Sequence, residues 1–577
     1  MVSLAHLSHP KYRTDIDGLR AVAILSVVGF HAFPDWIQGG FIGVDIFFVI
    51  SGFLISTIIF ENLEESHFSY AEFYARRIKR IFPALILILV ASFFLGWFMF
   101  PSEYFKLSGK HLFSGAAFLS NFALLREAGY FDASGEIDPF HHLWSLAVEE
   151  QFYIFWPLLL GLVWKRRWNF LLITLAVAAS SFTFDIVTLD SDAAVAFYSP
   201  LSRFWELMVG GVLAYLNLHK PQILSQKPQW MSSAGGLLLV LGFLFTNPRS
   251  DFPGWLTLFP TLGTFLLMGA GPKAWLNRQV LSRKGLVWFG LISYPLYLWH
   301  WPLLVFARVH TLGDPSLQER VLVVGASIFL AWATYQFVEK PVRWRVSGRP
   351  VVVTLLLLLA VLVGVGKLTD RAEGFPERAA NLKVLHFHYD VALGYRSGSC
   401  FLDASVGQFA GSDFSEECSG RTPEMSQAPL VLLWGDSYAA ALYPGLKHQS
   451  DILDFALAQY TANGCPPIEN LYIDKRKNCM MVNEFIFSKI QTLKPHTVIL
   501  AANWLRYDRK NSNWTQLDLN KLQATIAELK KVGVAHIVLV GQLPTYKIDQ
   551  PMVGNRIFVT DAVDRTIKSL NPQAFVI

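Results

Sequence analysis

Apolar residues dominate the first two thirds of the chain in runs that polar residues repeatedly interrupt. A bilayer core takes about 20 helical residues to cross. Runs of roughly that length cover residues 16–34, 39–60, 81–100, 144–164, 169–187, 201–217, 232–246, 255–271, 286–308, 319–338 and 350–368, which predicts eleven spans. The stretch 111–125 is apolar but short, and reads as a re-entrant or interfacial segment. No small-residue cleavage site follows the first run, so it is not read as a removable signal peptide. After residue 370 the pattern changes. Residues 371–428 are mixed and polar; then short apolar runs at 430–434, 497–501 and 535–541 alternate with helical stretches such as 517–532. Apolar strands alternating with helices predict a parallel sheet covered on both faces. The expected fold is a polytopic α-helical membrane domain followed by an α/β domain.

Composition supports bilayer as the first solvent. Only 16% of the 577 residues are charged and 14% are aromatic, against about 25% charged in soluble domains. The distribution of charge orients the chain. With the N-terminus inside, the inner loops hold nineteen Lys and Arg residues and the outer loops four. The positive-inside rule favours that orientation, and eleven crossings place everything after 368 outside. All four cysteines, Cys400, Cys418, Cys465 and Cys479, lie in that outer part. An even number there is expected to form two disulfides. Three connectivities exist; Cys400–Cys418 with Cys465–Cys479 closes two short loops.

Ionisable groups within spans are costly and functional by default. Arg20 and His31 lie eleven residues apart on the first span. At 3.6 residues per turn they share a helix face, about 16 Å apart along the axis. Arg20 suits a carboxylate or phosphate, and His31 can accept a hydroxyl proton near neutral pH. Asp45, Glu149, Glu150, Arg203, Glu206 and His300 also fall within predicted spans. They need each other or a polar cavity to be tolerated. Arg77 and Arg80, expected in a cytoplasmic run, are three apart and share a face if helical; such a pair can clamp a phosphate.

Six segments, taken together and in order, resemble the acyltransferase-3 family of membrane proteins over residues 11–345. They are Asp17-Gly18-Leu19-Arg20 with His31; 43–53; Arg77 and Arg80 before Pro83; 142–152; 294–300; and 337–341. The resemblance implies an acyl group, usually acetyl, taken from cytoplasmic acyl-CoA and delivered to a carbohydrate hydroxyl outside. It implies that Arg20 and His31 form an essential pair and that Arg77 and Arg80 contact the donor. Asp45, Glu149, Glu150 and His300 are expected to line or support the path.

The C-terminal part is similar to the SGNH hydrolase family. Gly435-Asp436-Ser437 follows a strand and matches the nucleophile block; Gly464 and Asn503 match the oxyanion donors of the second and third blocks. A serine at a strand-to-turn junction presents its hydroxyl, and nearby N–H groups stabilise an oxyanion. The sequence departs from the pattern at its end. No Asp-x-x-His block is present, and the last histidine is His536, inside a strand. Either the chain stops short of that block, which is the expectation, or Ser437 lacks a base of its own; the chemistry of Ser437 is left open.

The expected domains are 11–345 (acyltransferase), 346–370 (linking helix), 371–428 (outer linking region) and 429–577 (SGNH-like). The fused arrangement resembles O-antigen acetyltransferases of Gram-negative bacteria. The expected location is a bacterial inner membrane, N-terminus in the cytoplasm and C-terminal domain in the periplasm. The expected function is acetyl transfer from acetyl-CoA to lipopolysaccharide O-antigen, with another surface polysaccharide or a lipid-linked glycan as related acceptors. Peptidoglycan acetylation, a membrane-tethered esterase and an acyl or glycolipid transporter are the alternatives. No Walker motif, metal-ligand cluster or nucleic-acid motif is found, so neither a metal nor a nucleic-acid partner is expected; membrane lipids are.

Overall fold

The computed structural model describes residues 12–127, 137–248, 250–311, 314–344, 348–381, 394–404, 409–410, 413–421, 428–473, 476–504, 507 and 519–541. Lys11, Arg249 and Arg345 from the charge count, parts of the outer linking region, and the chain end after 541 lie outside them. The described residues fall into two compact units, 12–381 and 394–541.

The first unit is helical. Its helices are α1 (Thr14–Ala32), α2 (Gly43–Glu64), α3 (Tyr70–Met99), α4 (Ser102–Ala116), α5 (Ser120–Glu127), α6 (Leu143–Lys165), α7 (Phe170–Ser191), α8 (Ala193–Tyr198) and α9 (Pro200–His219). There follow α10 (Pro221–Ser225), α11 (Pro228–Phe245), α12 (Leu258–Ala270), α13 (Lys284–Leu291), α14 (Ser293–Thr311), α15 (Leu317–Thr334), α16 (Lys340–Trp344) and α17 (Arg349–Arg371). Local chemistry sets many starts. Ser69 accepts from the Glu72 amide at α3, Asn169 from Leu172 at α7, and Ser316 forms a reciprocal cap with Glu319 at α15.

Seven helices among the described residues are long and apolar enough to cross a membrane: Gly40–Glu64, Tyr70–Met99, Leu143–Lys165, Phe170–Ser191, Pro228–Phe245, Leu317–Trp344 and Arg349–Arg371. The four other expected spans fall on α1, α9, α12 and the α13–α14 pair. α1 carries Asp15, Asp17 and Arg20, α9 carries Arg203 and Glu206, and α12 has only 13 residues. The expected continuous span 286–308 is instead broken at Ile292 between α13 and α14. The short stretch 111–125 forms the end of α4 and most of α5. The expected linking helix, α17, packs on α4 at small residues: a Cβ on Gly366 would lie 2.6 Å from the Phe113 amide nitrogen.

Close helix approach builds the centre of this unit. A Cβ on Gly52 of α2 would lie 1.9 Å from the Leu207 carbonyl oxygen of α9, and one on Gly210 would lie 2.1 Å from that of Val49. The two glycines let the backbones touch. The contact brings Asp45 to 2.5 Å from the Arg203 guanidinium, which also pairs with Glu206 at 3.2 Å. All three are buried. The two carboxylates share the one guanidinium, which lowers the cost of burying the three groups in an apolar bundle.

The second unit is α/β. Strands β1 (Phe401–Asp403), β2 (Leu430–Gly435), β3 (Ala456–Asn463), β4 (Thr497–Ala501) and β5 (His536–Leu539) form one parallel sheet in the order β1-β3-β2-β4-β5. Its helices are α18 (Ser437–Leu453), α19 (Cys479–Leu493) and α20 (Leu519–Lys531). Strands β1 and β3 are absent from the sequence expectation. β3 reads Ala456-Leu-Ala-Gln-Tyr-Thr-Ala-Asn463, without a β-branched apolar run, and becomes a strand because it is buried between two neighbours. Disulfides join Cys400 to Cys418 and Cys465 to Cys479.

Candidate functional site

In the membrane unit, α1, α2, α6 and α14 each line both of two cavities. One cavity, called inner only after the orientation expected from the loop charges as its counterpart is called outer, is about 90 Å³ and is lined by Arg20 of α1, Ser51 of α2, Arg77 and Arg80 of α3, Ser145, Glu149 and Tyr153 of α6, and Ser293, Tyr294 and Tyr297 of α14. The outer cavity, of about 270 Å³, is lined by His31 of α1, Asp45 of α2, His141, His142, Tyr198, Arg203 and Trp301. Val44 and Tyr297 line both, so they form a shared wall. Arg20 and His31 thus face different cavities, although one helix carries them.

The inner cavity is cationic. Arg77 and Arg80 lie on α3 itself, which runs unbroken from Tyr70 to Met99 with Pro83 inside it; the expected loop is a helix. Among the described residues neither arginine is in an ion pair, and the Nε of Arg77 is buried without a hydrogen-bond partner. Arg77 lies over the rings of Phe73 and Tyr153. Arg20 pairs with Asp17 at 3.2 Å. Glu149 accepts a hydrogen bond from Ser51. Glu150, one residue on, lines neither cavity. Three guanidiniums with two unpaired suit an anion with several phosphate oxygens.

Histidines mark the outer cavity. Nδ1 of His31 lies 3.0 Å from Nε2 of His300, and the two rings stack with centroids 5.2 Å apart. Trp301 packs edge-on against His31, 4.8 Å between centroids. The shared wall is pinned. Ser145 and Tyr297 hydroxyls are 2.7 Å apart, and Tyr297 donates to the His142 carbonyl. Asp45 and Arg203 of the buried triad line another side. His141, His142, Tyr297 and Trp301 were not singled out from sequence. His142 and Tyr297 lie in segments that carried the resemblance, and His141 and Trp301 lie one residue beyond them, which is the signal that could have pointed to them.

In the α/β unit, Ser437, Gly464 and Asn503 follow β2, β3 and β4, which are neighbours in the sheet. All three therefore stand at the carboxyl edge, where parallel sheets bind ligands. Gly435 must be glycine, because a Cβ there would lie 1.8 Å from the Ala501 carbonyl oxygen. Asp436, buried, ties the blocks together. Its Oδ1 accepts from the Tyr438 amide at 2.8 Å; its Oδ2 accepts from the Asn503 amide at 2.9 Å and the Tyr507 hydroxyl at 2.8 Å. Asn483 accepts from Trp434 Nε1 at 2.9 Å and donates to the Pro466 and Ile468 carbonyls, which fixes the loop after Gly464. Asp436, Tyr507 and Asn483 were not predicted as site residues. His536 pairs in register with Thr497, the first residue of β4, and so sits at the sheet edge opposite Ser437. It cannot serve as that serine's base. Among the described residues no group of three or more metal-ligating side chains is found.

Comparison with known proteins gives two family matches. The acyltransferase domain family matches residues 13–336, and the SGNH domain family that occurs fused to acyltransferase-3 domains matches residues 399–570. The peptidoglycan O-acetyltransferase OatA of Listeria monocytogenes is 31% identical over 348 residues, 58% of this chain and 56% of its own. The putative peptidoglycan O-acetyltransferase YrhL of Bacillus subtilis is 33% identical over 354 residues, 58% and 55% of the two chains. A putative O-acetyltransferase of Staphylococcus aureus is 29% identical over 387 residues, 61% and 63%. The matches thus span less than two thirds of the length of these curated relatives. The periplasmic domain of a lipopolysaccharide acetyltransferase from Salmonella Paratyphi A aligns at 20% identity and a TM-score of 0.23, over 33% of this chain and 80% of that one; a score this low carries no weight for the fold.

Proposed function

We propose, from the premise that this chain belongs to the acyltransferase-3 family and carries a fused SGNH domain, that it moves an acetyl group from cytoplasmic acetyl-CoA to a hydroxyl of a cell-envelope carbohydrate. The observation that carries it is the pair of cavities, one lined by Arg20, Arg77 and Arg80 and the other by His31, sharing the wall of Val44 and Tyr297.

In this reading the arginines hold the phosphates of the donor. Its flexible arm passes the shared wall, so that the thioester reaches His31, about 16 Å along α1 from Arg20. His31 takes the proton of the attacking hydroxyl as that oxygen bonds to the acyl carbon. The carbon–sulfur bond breaks, and the departing thiolate takes up the proton. Asp45, with Arg203 and Glu206, holds the outer wall; Glu149 and Ser51 shape the inner one. Ser437 acts after this step on the outer face: its oxygen bonds to the acetyl carbon of the ester formed at His31, the first acceptor oxygen leaves with the serine proton, and the carbohydrate hydroxyl then takes the acetyl group from Ser437 and returns a proton to it, with Gly464 and Asn503 as oxyanion donors. The N-terminus lies in the cytoplasm and the α/β unit outside, as the positive-inside rule favours.

For the acceptor, peptidoglycan has the support of the names of two curated relatives, while lipopolysaccharide O-antigen has that of the motif resemblance. Mass spectrometry of both glycans, from cells with and without the gene, separates them. A gene-dependent acetyl group on one glycan identifies the acceptor. Its absence from both, with intact protein in the membrane, sinks the envelope-acetylation reading and favours transport. His31→Ala is expected to abolish product while leaving insertion intact.

A further inference from the structure

The His31–His300 contact contains more than proximity. Two ring nitrogens 3.0 Å apart share one hydrogen, so one donates and the other accepts. The rest of His300 decides which. Its Nδ1 lies 2.7 Å from the carbonyl oxygen of Tyr297 and 3.2 Å from that of Leu296, on the preceding turn of α14. A carbonyl oxygen only accepts, so Nδ1 of His300 carries a hydrogen. In a neutral imidazole the other nitrogen is then the acceptor. Nε2 of His300 therefore accepts from an Nδ1–H on His31, and Nε2 of His31 is left with its lone pair. His31 lines the outer cavity, and among the described residues its Nε2 makes no hydrogen bond. Helix geometry locks the arrangement: His300 is fully buried and held by its own helix.

We propose that His300 is a positioning residue that fixes the tautomer of His31, making Nε2 of His31 the base. This rests on the reading of His31 as the proton acceptor in the reaction above. When the attacking hydroxyl gives its proton to Nε2 of His31, the imidazolium that forms keeps its Nδ1–H on the lone pair of His300. His300 itself neither gains nor loses a proton; the new carbon–oxygen and broken carbon–sulfur bonds are those already described. The division of labour matches that of the third member of a hydrolase triad, which orients its histidine and steadies its charge. Here a neutral ring does it, so no further buried carboxylate has to be paired.

Steady-state acetyl transfer by the full chain in liposomes tests the proposal. His300→Leu, which removes the acceptor, is expected to lower kcat by about 100-fold or more, with KM for donor and acceptor within about twofold. His300→Gln, whose amide oxygen can accept the same hydrogen, is expected to recover at least about tenfold over His300→Leu. Wild-type kcat in His300→Leu, or equal loss in both variants, overturns the tautomer role. Full activity of His31→Ala is a different result and overturns the base reading itself. A second measurement does not depend on the variants of His300 folding. Nitrogen-15 spectra of histidine-labelled full chain in lipid, with His31 assigned by difference against His31→Gln, should show a protonated Nδ1 and a bare Nε2. The opposite tautomer overturns the proposal whatever the activities are.

Discussion

A guanidinium facing a cavity without a carboxylate partner is ready to meet an anion, and Arg77 and Arg80 are two such groups on one face of α3. Alanine at Arg80 should raise KM for the acyl donor about tenfold or more, the loss of roughly one charge-assisted contact, with a smaller change in kcat. Donor titration in vesicles measures it; an unchanged KM removes Arg80 from the donor site. Lysine keeps the charge but not the planar fork and should rescue only in part. In the α/β unit, the Tyr507 hydroxyl holds one oxygen of Asp436. Tyr507→Phe should lower the stability of that unit by about 1 kcal/mol, read from its thermal transition, and weaken any activity that needs Ser437 beside Asn503. Full transfer activity in Ser437→Ala would reduce the whole unit to a positioning role.

The membrane unit depends, at the level of its elements, on how closely helices cross. Gly52 and Gly210 set the α2–α9 contact, and the buried triad of Asp45, Arg203 and Glu206 depends on it. Gly210→Val drives a side chain into the α2 backbone and should cost at least about 1–3 kcal/mol, seen as lower thermal stability in detergent and lost transfer. Gly285→Ala, where a Cβ would meet nothing within 4 Å, is the matched control and should be silent. Arg203→Ala leaves two buried carboxylates without a cation and should destabilise by about 3–5 kcal/mol; a smaller loss would mean that water reaches them.

The whole molecule combines two solvents in one chain. The helical unit satisfies its backbone within helices, as bilayer demands; the α/β unit packs helices on a parallel sheet and carries both disulfides. If that unit is outside, an impermeant thiol reagent should label intact spheroplasts only after reduction, and all label should map to Cys400, Cys418, Cys465 and Cys479. Labelling that requires membrane permeabilisation would overturn the proposed topology.

Where the chain prefers bilayer, where it prefers water, and which motifs it carries are local properties, legible from runs of a few tens of residues. The helical spans, the α/β unit and the family resemblance follow from them, as does the shared face of Arg20 and His31, because helix periodicity is local too. Partners are another matter. His300 meets His31 across 269 positions and Arg203 meets Asp45 across 158; no periodicity encodes such distances. Only the packed bundle divides Arg20 from His31 by a wall of Val44 and Tyr297, and only it breaks the run at 286–308 at Ile292. Strand β3 likewise becomes a strand through its neighbours rather than its composition. Hydrophobic partition depends on each segment's own surface, whereas tautomers, cavities and ion pairs depend on what the rest of the chain brings beside it.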